Sequence, residues 1–524
     1  MSQSARAGLA AALLGLVLGC LALGPALGWG FVLIQDMVFV PEPEFSRFTF
    51  GLAGGAPRVV PSDAVVTALA QVLPAELVQK AILLGIFVLG CSGTALLVPS
   101  ASLGPRLVAG AFYVWNPYVA ERLLIGQWAL LLGYAGLPWV VRAVWSRQRI
   151  ALAMLPAAVG GFAAMTVTAI TALPAALSTA LSSTERSAAG PRWRTVARVA
   201  ALLALFSLPW LVPAALRPYG IEGDPVGVAA FASRADTPFG AVGSLLTLGG
   251  IWNAYAVPPG YGNPVGAAAR LVLTLAGAVA FLRGGMPGRW GLAGAAAIGL
   301  AVASVGVTGP GRAAFAWAVE LWGGFGVFRD AQQYVAPLAL MAALGLGLLA
   351  EHVAARKAWV AALVLVPVAV LPTLAWGALG RLEAVRYPEG WTAAREIIER
   401  DPEPGEVLVL PFESYRRFPW NGHRAVLDPA QRFFAVRGRR VVTNDAVRVG
   451  DMVVRSEDPR AQEVERVLVG PAPDLRAAGF RYVIVDAGTV AERERFAQWL
   501  RSARVLVDAG DLRLYRFGGR VAAP

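Results

Sequence analysis

The chain has 524 residues, 56% of them hydrophobic and only 15% charged, with a mean hydropathy of +0.58. A soluble chain of this length carries roughly a quarter charged residues, which excludes one large soluble enzyme and puts most of the chain in lipid. The formal charge of +12 lies mostly between apolar stretches, the pattern of an orientation signal and not of nucleic-acid binding.

Residues 379–524 hold 24 Arg and 21 acidic side chains, against 22 basic and 13 acidic ones in residues 1–378. The charge therefore separates a membrane domain, 1–378, from a soluble domain, 379–524. Cys20 and Cys91 both fall in apolar runs, and His352 and His423 stand far apart in the chain. These four exclude a disulfide framework and argue against a zinc site or a histidine-based triad.

Spans of about 20 apolar residues, shorter where hairpins pack inside a bundle, are expected near 8–34, 76–98, 107–119, 128–145, 151–165, 167–183, 198–215, 264–283, 289–308, 333–352 and 358–378. The first continues past Cys20 to Ile34, too long for a signal peptide, and reads as a retained helix. The split of 151–183 at Gly160-Gly161 keeps the basic clusters Arg142 to Arg149 and Arg186 to Arg198 on one side. With eleven spans the positive-inside rule then places the N-terminus in the cytoplasm and the C-terminal domain outside the cell membrane. In that topology Asp36, Glu44, Asp63, Glu121, Asp236 and Asp330 all lie at or beyond the outer ends of helices.

The first outer loop contains Gln35-Asp36-Met37-Val38-Phe39-Val40-Pro41, with Asp36 just past an apolar helix, where partial desolvation raises a carboxylate toward the basicity of a general base. Glu44 and Asp63 follow, Asp63 at the start of an expected amphipathic helix, 63–73. Trp115-Asn116-Pro117-Tyr118 leads through Glu121-Arg122 to Gly126-Gln127-Trp128, and an outward Arg122 beside Gln127 suits an anionic head group. A larger loop, 216–263, holds Trp252 and Asn253 beside Tyr255, aromatic surfaces for a sugar or for the membrane interface. Phe328-Arg329-Asp330 precedes two amides at the start of a span, either as a polar site or as a helix cap with a neutralising pair.

In the tail a helix near 391–400, strand 407–410, strand 441–444, a helix near 459–469, strand 482–485, a helix near 490–501 and strands at 504–507 and 512–517 alternate as in an α/β sandwich. The tail has no GxGxxG, P-loop or GxSxG motif. It reads as an acceptor-binding or packing module.

A long acidic loop after the first helix, paired short helices in mid-bundle, about eleven spans and an outer soluble domain together resemble GT-C glycosyltransferases, which take sugar from a polyprenyl-phosphate carrier. The segments around Asp36, Trp115 to Trp128 and Phe328-Arg329-Asp330 look like those of actinobacterial membrane proteins related to cell-wall arabinofuranosyltransferases. The resemblance implies a donor carrying arabinofuranose or mannose, an envelope glycan or glycolipid as acceptor, and a plasma-membrane location. It implies Asp36 as the base, with Arg122 and Arg329 on the leaving phosphate and Gln127, Trp252, Asn253, Asp330, Asp63 and Glu44 around the substrates. Where some members carry an Asp-x-Asp or Glu-x-Asp pair, this chain has only Glu42-Pro43-Glu44, so a divalent cation is allowed and not required. A transporter or flippase of a polyprenyl-linked glycan and a non-catalytic scaffold are the rival readings.

Overall fold

The computed structural model describes residues 3–182, 193–217, 223–471, 473–486, 489–510 and 512–518. The loop bearing Arg186 and Arg192, and Glu222 in the large outer loop, lie outside the described residues. The chain divides into two compact units. The first comprises Met1–Leu27, Lys80–Leu211 and Gly223–Leu382, the second Gly28–Gln79, Val212–Glu222 and Glu383–Pro524. The second unit takes up the chain again at Glu383 and also includes the first long loop.

The first unit is helical. Among the described residues seven helices are long and apolar enough to cross a membrane, or nine if two bent pairs, Arg289–Val305 with Gly309–Leu321 and Lys357–Val370 with Pro372–Gly380, each make one span. Two differences separate these counts from eleven. The expected span 107–119 is the twelve-residue helix Leu103–Val114, about 18 Å long against a hydrocarbon core of about 30 Å. The expected pair 151–165 and 167–183 is one helical run, Ile150–Ser182, interrupted at Gly161 with φ 72° and ψ −149°.

That interruption is a sharp bend. A Cβ built on Gly133 would stand 2.4 Å from Ala164 Cβ and 3.5 Å from Ala157 Cα, so these two atoms are at most about 6 Å apart. An unbroken helix would separate residues seven apart by about 10 Å along its axis. Small side chains permit the approach: Ala157, Ala164, Ala172, Ala175 and Ala176 share a core with Val140, Val144 and Met154. The helix Ala336–Glu351 is apolar and buried almost all round, as befits the centre of a bundle.

The second unit is α/β. Its five-stranded sheet uses β1 (Glu406–Leu410), β2 (Val441–Val442), β3 (Phe480–Asp486), β4 (Arg504–Ala509) and β5 (Leu512–Arg516), in the order β4-β5-β3-β1-β2. β1 pairs in parallel with β2 and β3, whereas β5 runs antiparallel to β3 and β4. All seven residues of β3 are buried, which is why its sequence is almost continuously apolar. Helices Glu389–Arg400, Pro459–Leu468 and Val490–Trp499 stand where the alternation predicts them. The hairpin Tyr415–Arg417 with Ala425–Leu427 is an addition, too short to show in the pattern.

The first loop is tied into this unit by backbone pairing. Phe31–Val32 pairs antiparallel with Ala384–Val385, and Gln35 exchanges hydrogen bonds with the hairpin, its N–H to the Ala425 carbonyl at 2.7 Å and its carbonyl from Leu427 N–H at 2.8 Å. The helix expected at 63–73 is Ser62–Ala70.

Candidate functional site

In the first unit the site begins with a helix start. Asn116 accepts the Val119 N–H at 3.1 Å and Pro117 takes the first helical position, so Asn-Pro launches the short helix Pro117–Leu124. This helix is wholly buried and carries Glu121 and Arg122, each 1% exposed. The Tyr118 hydroxyl donates to the Gln333 carbonyl at 2.9 Å, fastening the helix to the segment Ala331–Val335, and the Arg122 guanidinium lies over the Tyr118 ring. Gly126, at φ 81°, turns the chain so that Gln127 returns to Arg122.

Arg122 Nη1 donates to Gln127 Oε1 at 2.9 Å, and Gln127 Nε2 donates to Asp330 Oδ2 at 2.9 Å. Asp330 Oδ1 stands 3.6 Å from Arg122 Nη1, an ion pair without a hydrogen bond. Three of the expected site residues therefore form one network. Within it Arg122 Nε and Asp330 Oδ1 are buried without a hydrogen-bond partner; so, two residues along the chain from Asp330, are both amide atoms of Gln332, which is 1% exposed. Each such atom left unpaired costs about 1–3 kcal/mol, so it calls for a partner such as an ordered water or a bound group. Asp330 precedes the turn Ala331–Val335 but makes no cap hydrogen bond there, so the expected capping role is absent.

Arg329 and Trp252 meet on one ring. The guanidinium lies 4.7 Å from the Phe231 centroid, and Trp252 packs edge-on to the same ring at 4.7 Å. Asn253 accepts the Tyr255 N–H at 2.9 Å and so caps the turn Ala254–Ala256.

Behind Arg122 lies a second polar group. The Glu121 and Asp236 carboxyls are within hydrogen-bonding reach of one another, and burial together with Asp236 pushes Glu121 well above the usual carboxylate range. The Gly250 N–H donates to Asp236 Oδ2, and the Tyr261 hydroxyl shares a hydrogen bond with Thr247 at 3.0 Å.

The remaining expected residues belong to the second unit. Asp36 accepts the Tyr415 hydroxyl. The next residue, Arg416, is buried between Asp428, at 3.4 Å, and Asp486 at the carboxyl end of β3. Burial pushes the Asp486 carboxyl up, to about 7, against the opposite pull of Arg416. Asp63 pairs with Arg432 at 2.8 Å, and Glu44 with Arg395 at 3.2 Å. These ion pairs account for Asp63 and Glu44 within the fold. Among the described residues no three His, Cys, Asp or Glu side chains are grouped to hold a metal ion.

The sequence marks the two amides after Asp330, Gln332 among them, as part of a polar cluster at the start of a span, without a role for either. It does not show the Glu121–Asp236 contact, Phe231 or Tyr415, which depend on partners distant in the chain. Compared with protein-family models and with curated proteins, the chain matches none.

Proposed function

We propose that the protein transfers a sugar from a polyprenyl-phosphate-linked donor to a hydroxyl of an envelope glycan or glycolipid, at the outer face of the cell membrane. The observation that carries this reading is the network of Arg122, Gln127 and Asp330, in which Arg122 Nε and Asp330 Oδ1 keep no hydrogen-bond partner, a donor that suits a phosphate oxygen and an acceptor that suits a hydroxyl. In the reaction the acceptor oxygen bonds to the anomeric carbon as the bond from that carbon to the phosphate oxygen breaks. The electron pair leaves with the phosphate, and the acceptor proton goes to a general base.

Arg122 and Arg329 stabilise the charge growing on the phosphate, usually the largest part of such catalysis. Trp252 and Asn253 border the sugar. Arabinofuranose and mannose are the donors of choice, on the resemblance of the segments that carry Asp36, Arg122 and Arg329.

The test is titration of the purified protein with a non-hydrolysable polyprenyl-phosphate sugar. A charge-assisted contact contributes about 1.5–3 kcal/mol, so Arg122→Met weakens binding about ten- to a hundredfold. Equal affinity in wild type and Arg122→Met would remove the phosphate site, and with it this reading.

A further inference from the structure

We propose that Glu121 and Asp236 form a proton-binding site, a carboxylic acid and a carboxylate sharing one proton, which positions the turn that carries Trp252 and Asn253. A Cβ built on Gly249 would stand 2.5 Å from the Tyr261 hydroxyl oxygen, 2.7 Å from Glu121 Oε1 and 2.8 Å from Asp236 Oδ2. Both side chains thus converge on the backbone of this turn, and only glycine fits there. The Gly250 N–H donates to Asp236, and the Ile251 N–H donates to Glu121.

One oxygen on each carboxyl remains. Glu121 Oε1, on a residue 1% exposed, and Asp236 Oδ1 are buried with no donor. Two ionised carboxylates in contact supply none and repel each other; a single proton shared between the carboxyls supplies a donor and relieves the repulsion. Two arginines stand near the pair, and the charge of Arg122 pulls Glu121 in the opposite direction to burial and Asp236. Arg122, on the same helix, faces Gln127 and Asp330, and Arg270 lies over the Tyr261 ring at 4.1 Å and donates to the Val370 carbonyl at 2.9 Å. The Tyr261 hydroxyl, the third group at Gly249, bonds to Thr247.

When the proton leaves, two charges press on Gly249 to Ile251, and the disturbance passes to Trp252 and the Phe231 ring that it shares with Arg329. Tyr261, Asp236 and Glu121 thus act on the substrate residues through the turn, as positioning residues. The inference rests on the proposed function only in giving Trp252 and Asn253 a substrate, and it is tested without one.

The full-length protein in detergent is melted across a pH series as wild type, Glu121→Gln and Glu121→Ala. A carboxyl raised in the folded state stabilises fully below the ordinary carboxylate range and loses that contribution as pH climbs toward its folded value. Wild type should therefore lose several degrees of Tm from about pH 5 upward relative to Glu121→Gln, whose amide donates to Asp236 at every pH. Groups such as Asp486 contribute equally to both proteins and cancel. Glu121→Ala, which leaves Asp236 without its partner, should melt lower throughout. Parallel pH slopes in wild type and Glu121→Gln would overturn the proposal.

Infrared spectroscopy of wild type supplies the second readout. A deuterium-sensitive carboxylic acid band at neutral pH should persist in Asp486→Asn and vanish in the double variant Asp486→Asn with Asp236→Asn, where the new amide at 236 donates to an ionised Glu121. Its absence from wild type and Asp486→Asn alike would also overturn the proposal. Both readouts stand whether or not the protein transfers a sugar.

Discussion

Arg416 and Arg122 are both buried arginines, and their partners tell them apart. Arg416 spends its hydrogens on the Pro411 and Asp486 carbonyls and on the carboxylates of Asp428 and Asp486. Arg122 donates to Gln127, lies against Tyr118, and keeps Nε vacant. Removing one side of a fully engaged buried pair costs about 3–5 kcal/mol, so Arg416→Met should lower the unfolding midpoint sharply and leave two carboxylates confined together. Asp36 presents the opposite case. Asn at this position still accepts the Tyr415 hydroxyl, so Asp36→Asn should fold as wild type and bind donor, while transfer of a radiolabelled sugar falls by about 10²–10⁴ if Asp36 takes the proton. Unchanged turnover would move the base elsewhere. The contact of Arg122 with Gln127 was legible because an arginine, a glutamine and two tryptophans crowd one short stretch between apolar runs. The Tyr415 contact was not, because 379 residues separate it from Asp36 and no local pattern encodes so distant a partner.

The helical run Ile150–Ser182 shows how one residue shapes an element. Gly161 occupies φ 72°, ψ −149°, a conformation open almost only to glycine, with costs of about 1–3 kcal/mol for other residues. Gly161→Ala should therefore destabilise the protein by about that amount in thermal melts, whereas Ala at a continuous helix position would be neutral or better. An unchanged midpoint would mean that the bend is not strained. Hydropathy alone left this run open to one long span or two short ones, since Ala, Leu and Thr follow one another through Gly160-Gly161 without interruption. The arginines on either side favoured two. The strands and helices of the tail were easier to place, because apolar runs of four or five residues alternate there with amphipathic stretches. The short hairpin at Tyr415 was invisible because three-residue strands leave no period.

Among the described residues seven to nine helices are long and apolar enough to span, against the eleven expected, and an odd count would carry the two ends of the chain to opposite sides of a membrane. With the arginine-rich loops inside, a reporter that works only in the cytoplasm should stay silent when fused after Phe517. An active one would reverse the orientation and take the proposed outer-face chemistry with it. The composition step near residue 379 was visible in the sequence. That Gly28–Gln79 joins the second unit was not, for an acidic, proline-broken loop looks the same whatever it packs against.

The pairing of Phe31–Val32 with Ala384–Val385 also sets an order of events during synthesis. At about 5–20 residues per second, the loop after the first helix waits some tens of seconds for its partner strand to be made. Through that interval Phe31, Val32 and the neighbouring apolar residues have open strand edges, while the helices between them are inserted one after another. A chain ended at Leu382 should carry this loop in a protease-sensitive state, and supplying residues 383–524 as a separate polypeptide during synthesis should protect it. The second unit is thus the last part of the protein to be completed, although its first residues are among the earliest made.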